Sequence, residues 1–285
     1  MPSSTHGSAT SRPRRRRLTP SALLGGAVLA VIVLAAILPG LIAHADPSAI
    51  EILARLGPPS PAHLLGTDHL GRDLLARLIY GARISLLVAL TSVSAASLIG
   101  VTLGLLAGYY GGWTESVVMR IVDVFLAFPA ILLALALVAV LGAGLSSVII
   151  ALALVFWTQY ARVVRAATLA EREKAYVEAA RAIGAGDGHI LFRHILPNIA
   201  SPVVILATLG MGTAVVAEST LSFLGLGVQP PAPSWGWTLA FGTRYLRDAP
   251  HIATFSGLAI MATVLGFNLL GDGIRDLLDP KFRPQ

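Results

Sequence analysis

The sequence predicts an all-α, polytopic membrane protein with six transmembrane helices. Three observations carry that prediction: the composition, six long apolar runs and an uneven distribution of positive charge. Of the 285 residues, 55% are hydrophobic and only 13% charged, with a mean hydropathy of +0.76. That leaves too little polar surface to clothe a soluble globule of this size. Cys is absent, so the chain carries no disulfide framework, no thiolate nucleophile and no Cys metal site.

A helix needs about 20 apolar residues to cross roughly 30 Å of hydrocarbon. The runs 21–43, 84–109, 117–141, 146–164, 201–225 and 254–271 qualify. The first follows five arginines between positions 12 and 17 and resembles a signal peptide in outline. Its apolar stretch exceeds a typical h-region, which predicts a retained helix. In the second run Gly100, Gly104 and Gly108 recur every four residues, the pattern of a close helix-packing stripe.

Placing the amino terminus in the cytoplasm puts fifteen Lys and Arg inside and six outside, the six being Arg55, Arg72, Arg77, Arg83, Arg244 and Arg247. The positive-inside rule therefore predicts that both termini and the segment 166–199 are cytoplasmic. The proline-rich stretches 57–61 and 229–233 fall in outer loops as rigid turns. The basic amino-terminal tail is expected to be disordered, its arginines setting topology and meeting anionic lipid rather than nucleic acid.

Between two apolar runs lies a polar, positively charged insert, EAARAIGAGDGHILFRHILP, from Glu178 to Pro197. Lipid solvation does not require it, which points to contact with another protein. Residues 172–183 are rich in good helix formers and stop at Gly184-Ala185-Gly186, where glycine can take the positive φ of a helix C-cap. Asp187 is placed to cap a second helix. That helix carries Leu191 and Ile195 on one stripe, joined by Phe192 and Leu196, with His189 and Arg193 on another, and Pro197 ends or bends it.

Glu178-Ala179-Ala180, a glycine at Gly184 and the closing Ile195-Leu196-Pro197 strongly resemble the cytoplasmic EAA loop of bacterial ABC importer permeases. Two further stretches, HLLGTDHLGRDLLARLIYGARISL at 63–86 and AESTLSFLGLG at 217–227, resemble the peptide and nickel branch of that family, in particular its C-type dipeptide or oligopeptide subunit. The carboxyl end, GFNLLGDGIRDLLDPKFRP, fits the same branch. The resemblance covers nearly the whole chain from Ala62 onward and leaves the amino-terminal tail without a family signal.

The resemblance implies an importer-permease (MetI-like) fold in the bacterial inner membrane. It divides the chain into a basic cytoplasmic tail (1–20), a first transmembrane helix with its external loop (21–83), a permease core (84–274) holding the coupling loop 166–199, and a cytoplasmic tail (275–285). It implies four partners: a homologous permease subunit, two ATPase subunits carrying ATP and Mg, and an extracytoplasmic solute-binding protein. Glu178, Ala179, Ala180, Gly184, Ile195, Leu196 and Pro197 become the ATPase-docking positions. The implied substrate is a dipeptide or oligopeptide, with nickel and glutathione as alternatives. No residues in the chain can hydrolyse ATP: a phosphate loop ends in Gly-Lys-Ser/Thr, and the two lysines, Lys174 and Lys281, follow Glu173 and Pro280. The chain is therefore expected to be a transport subunit and not an enzyme.

The remaining polar residues are sparse. His63, Asp68, His69 and Asp73 admit a transition-metal site. A helix start capped by Thr67 or Asp68 explains them without metal, and His63 and His69 do not stand at an i, i+4 spacing. Asp123, Glu218 and Asn268 lie within or near apolar runs and are candidate pathway or gate residues. A carboxylate facing lipid is costly, so each should face the bundle interior or find a partner. An Arg120–Asp123 ion pair and an interhelical hydrogen bond at Glu218 are the structural alternatives. An ion-coupled secondary transporter, which would need a carboxylate site at the midplane, and a membrane scaffold are the rival classes. The few charges and the dedicated inner loop argue against the first.

Overall fold

A computed structural model describes residues 19–278; the basic tail and the Asp279-Pro280 end read from the sequence lie outside them. Helices are the regular structure of the described residues, their one extended pairing being an isolated bridge between Thr67 and Asp73. Five helices are long and apolar enough to cross a membrane, or six if one bent pair is counted as a span.

The first, α1 (Pro20–Ile37), starts at Thr19, whose hydroxyl accepts from the Ala22 amide at 3.3 Å. It stops six residues before the predicted end. Leu38 precedes a proline, which disfavours helical backbone, and Arg83 turns its guanidinium onto the freed carbonyls of Ala36 and Ile37. α2 (Leu74–Tyr110) runs for 37 residues, about 55 Å. It begins ten residues ahead of the apolar run because Arg77 and Arg83 lower the hydropathy without breaking the helix. Its cap is Asp73, accepting from the Ala76 amide at 2.7 Å, and not Thr67 or Asp68. Thr67 is engaged by the Gly57 amide. Asp68 closes its own turn, accepting from the Leu70 and Arg72 amides at 2.8 and 3.0 Å.

The run 117–141, read as one span, is broken: α3 (Gly112–Leu126) and α4 (Ala130–Leu141) meet at 89°. Pro129 lacks an amide proton and constrains the residue before it, which ends the first helix and opens the second. α5 (Leu145–Arg172) continues well past its apolar run. A short α6 (Ala175–Ala182) opens the polar hairpin, and α7 (Ala200–Phe223) returns through the bundle. The loop predicted after it contains α8 (Trp235–Arg244), before the final α9 (Pro250–Leu278).

α2 and α5 form the spine of the molecule. A Cβ built on Gly104 would stand 2.7 Å from the Ala161 carbonyl oxygen, and one on Gly108 would stand 2.6 Å from the Thr168 Cβ. The glycine stripe thus does bring two backbones together, as small residues do in membranes. α7 packs between α2 and α9, α1 lies along α9, and α8 crosses α7 and α9. Trp235 fastens α8 to α2 by donating its indole N–H to the Leu78 carbonyl at 2.8 Å. The main core threads this bundle through Leu74, Val88, Val93, Leu152 and Leu221. Exposed Leu98, Leu132 and Val140 clothe its outside, as solvation by hydrocarbon requires.

Candidate functional site

The polar hairpin is built at one end of the α2–α5 spine. α5 ends at Arg172, and Glu173 and Lys174 interrupt the helix, with Lys174 in an extended conformation that starts α6. The helix predicted over 172–183 is therefore shortened at its start. Lys174 pairs with Glu171 at 2.7 Å. Tyr176 donates its hydroxyl to the same carboxylate and accepts from Asn198 Nδ2 at 3.2 Å, joining the two ends of the hairpin. Burial, and then the bond to Glu171, push the Tyr176 phenol up to about 12.

α6 ends as the sequence predicts. Gly184 takes a φ of +81°, its amide donates to the Arg181 carbonyl at 2.9 Å, and the Ala185 amide reaches the Ala180 carbonyl at 3.0 Å. This is the double closure of a Schellman motif, in which a side chain at the left-handed position would strain the backbone. Asp187 does not cap the second arm. Gly186 holds that position, and Asp187 accepts a hydrogen bond from the Tyr109 hydroxyl at 2.7 Å.

The second arm is not a plain α-helix either. Over Ile190–Ile195 it widens into a π-helix, the Leu196 amide bonding to the Leu191 carbonyl. The i to i+5 repeat aligns Ile190 with Ile195 and turns Phe192 outward, 69% exposed. Ile190, Leu191 and Ile195 pack with Val177 and Ala180 of α6 and with Leu105, Tyr109 and Val164 of the spine, a small core separate from the main one. Among the positions predicted to dock, Ala180 and Ile195 are thus interior and Leu196 is half-buried, while Glu178, Ala179, Gly184 and Pro197 are exposed. A groove of about 450 Å³ runs beside them, lined by Tyr109, Arg172, Glu173, Glu178 and Arg181. It offers both signs of charge to an incoming surface.

The other predicted residues lie apart. Glu218 is fully buried, accepting from Ser222 at 2.7 Å and Ser85 at 2.9 Å, with Ser219 and Ser234 at 3.4 Å. It is an interhelical knot joining α2, α7 and the start of α8, with none of its own surface exposed. Asp123 and Arg120 are both exposed, and no ion pair joins them among the described residues. Asn268 is exposed at the rim of an apolar groove of about 500 Å³ between α7, α8 and α9, lined also by Val216, Leu239, Met261 and Leu265.

At the end of the spine opposite the hairpin, His63 Nδ1 lies 3.0 Å from Asp73. Asp68 instead holds Arg72 at 2.7 Å, with Arg77 at 3.4 Å. His69 stacks on Phe241 at 4.2 Å between ring centroids. Burial pushes the His69 imidazole down, Asp68 opposing and Arg72 and Arg77 assisting. Among the described residues no three ligating side chains gather to hold a metal ion.

Among the polar links that sequence reasoning missed are Asp68 with Arg72 and Arg77, Glu115 with Arg165 at 2.8 Å, and Tyr109 with Asp187. Only the first pair, at i, i+4, leaves a local signal.

Comparison with known proteins gives this geometry a family. Residues 100–284 match the model of the binding-protein-dependent transport system inner membrane component. The chain is 51% identical over 225 residues to the glutathione transport system permease protein GsiD of Pectobacterium atrosepticum, covering 79% of this chain and 75% of that one. It is 44% identical over 262 residues to the dipeptide transport system permease protein DppC of Alkalihalophilus pseudofirmus, covering 92% and 86%. An inward-facing structure of the MetNI methionine ABC transporter superposes with a TM-score of 0.57 at 23% identity, over 71% of this chain and 96% of that one. That likeness speaks for the fold.

Proposed function

The chain belongs to the family of binding-protein-dependent transport system inner membrane components, and from that membership we propose that it is the half-pathway of a peptide importer driven through its polar hairpin. As a multi-pass permease of an ABC importer it moves solute and does not itself perform chemistry on it. Membership sets aside the ion-coupled transporter and the scaffold. The substrate is a dipeptide or oligopeptide, a class supported by the dipeptide permease relative. The relative named for glutathione, itself a tripeptide, extends the class without leaving it.

The observation that carries the coupling role is the hairpin: an exposed Glu178, a left-handed Gly184 and a charged groove, all raised on a small core at one end of the spine. In this reading Glu178, Ala179, Gly184 and Pro197 face the ATPase, Leu196 flanks them, and Ala180 and Ile195 hold their backbone in shape. The Lys and Arg distribution puts this end, and both termini, in the cytoplasm, where partner subunits bind ATP and Mg. A homologous permease covers the apolar face around Asn268 to complete one pathway. Asp123 and Asn268 remain candidates for contact with the solute, and the binding protein delivers from the opposite end. Closure of the ATPase pair moves the hairpins together and rocks the helices between inward and outward access.

Co-purification of the ATPase with the permease tests the reading. Glu178→Arg reverses a docking charge, and Gly184→Val places a β-branched residue at φ +81°. Each is expected to cut ATPase recovery by about ten-fold while the permease stays in the membrane at its normal level. Unchanged recovery and unchanged transport would overturn the docking assignment.

A further inference from the structure

The hairpin is joined to the spine by a small set of polar contacts centred on one tyrosine. Tyr109, next to last in α2, donates its phenol to Asp187 Oδ1 at 2.7 Å across 78 positions of sequence. The Arg181 guanidinium of α6 lies 5.1 Å from the same ring, over its face. Tyr109 therefore touches both arms of the hairpin, one on each side of the turn 184–186.

That turn needs such a bridge. A Cβ at Gly184 or Gly186 would meet nothing within 4 Å, so the turn, closed by its own backbone bonds, leans on the small core only through the half-buried Ala185. The apolar contacts of Ile190, Leu191 and Ile195 hold the arms together, but burial is non-directional and lets surfaces slide. A hydrogen bond to a carboxylate fixes one register. Arg172 completes the clamp by donating Nη1 to the Gly108 and Tyr109 carbonyls at 2.8 and 3.2 Å. These are carbonyls that the end of α2 leaves without helical partners. The glycine stripe holds α2 close against α5 from Gly100 to Gly108, beside the hairpin, and further along α2 Ser85 bonds Glu218.

We infer that Tyr109 is a positioning residue of the transport cycle: its bond to Asp187 and its contact with Arg181 turn a displacement of the hairpin into a displacement of α2. The inference rests on the hairpin being the element that the ATPase moves. Tyr109 also lines the charged groove together with Glu178 and Arg181, so the load enters beside the residue that passes it on.

The test is the complete importer in proteoliposomes, with solute uptake, ATP hydrolysis and ATPase co-purification measured on the same preparations. Tyr109→Phe keeps the ring and its cation contact but removes the donor. Asp187→Ala removes the acceptor at an exposed position, which keeps the test available if the tyrosine variant folds poorly. In both, solute moved per ATP hydrolysed by the recovered complex is expected to fall about three- to ten-fold. Asp187→Asn, which can still accept from the phenol, should retain most of the coupling. The double variant Tyr109→Phe/Asp187→Ala should be no worse than either single one. An unchanged ratio of uptake to hydrolysis in both single variants overturns the inference. Loss of ATPase recovery in Tyr109→Phe also overturns it, by placing the tyrosine in docking itself. If Glu178→Arg leaves recovery intact, the docking reading fails separately, whatever the coupling ratio does.

Discussion

Glu218 is a buried carboxylate with four serine hydroxyls around it and, among the described residues, no cation at ion-pair distance. A carboxyl at this depth is expensive unless its oxygens are engaged, and hydroxyls from three helical elements engage them. Glu218→Ala removes the common acceptor and leaves the hydroxyls to find others. The expected loss is about 2–3 kcal/mol, read as a fall of roughly 5–10 °C in the melting midpoint of the purified protein in detergent. Ser85→Ala, which leaves three hydroxyls on the carboxylate, should cost about half as much. A midpoint unmoved by Glu218→Ala would show that the knot contributes nothing to stability. The sequence marks Glu218 as an acidic residue in an apolar run, and Ser222, at i+4, is a legible partner. Ser85 stands 133 positions away and becomes a partner only once α2 and α7 pack. Tyr109 was hidden for the same reason, since it closes an apolar run and shows no polar periodicity. Gly184 was legible because a left-handed helix end leaves a local mark in sequence, a glycine after a run of helix formers.

Helices were legible where hydropathy alone decides and misread where a single residue redirects the backbone. The run 117–141 has the composition of one span, and Pro129 converts it into two helices at 89°. Membrane helices tolerate proline when neighbours satisfy the freed groups, so the residue announces a disturbance without announcing its size. α8 leaves no signal in the sequence, because its ten residues are too few to span and its buried face is made of Gly236, Thr238 and Gly242 beside one Trp. The π-helix at Ile190–Ile195 leaves no compositional trace, and with it went the orientation of Phe192. The glycine stripe, by contrast, was read correctly, since a period of four with no side chains has one efficient use in a helix bundle. Gly104→Leu tests it: the added Cβ would meet the Ala161 carbonyl at 2.7 Å and the Val164 Cβ at 2.9 Å. Forcing α2 from α5 should cost about 1–3 kcal/mol or more and lower the yield of monodisperse protein on size exclusion. Gly104→Ala should be intermediate. Full yield and an unchanged melting midpoint for the leucine variant would mean that the two helices do not approach as described.

At the scale of the molecule, the spine places the hairpin at one end and the Asp68–Arg72–Arg77 cluster at the other, so a single orientation assigns both. The proposed orientation rests on charge: fifteen Lys and Arg fall on the hairpin side or in the terminal tails, and six on the other side. Charge asymmetry sets insertion through loops near the membrane, and here it agrees with the ATP that the proposed coupling role requires. Since the chain has no Cys, single cysteines report without background. Gly186→Cys sits at the exposed turn of the hairpin, where an added side chain meets open space, and Asp248→Cys sits in the exposed turn between α8 and α9. A membrane-impermeant thiol reagent should label position 248 in cells whose outer envelope has been opened but whose inner membrane is intact. It should reach position 186 only after that membrane is broken. Neither position packs in a core, so slow labelling cannot be blamed on burial. Labelling of position 186 in intact inner membranes would place the hairpin on the side without ATP. The proposed drive through Glu178 and Gly184 would then have no energy source, although the fold and its family would stand unchanged.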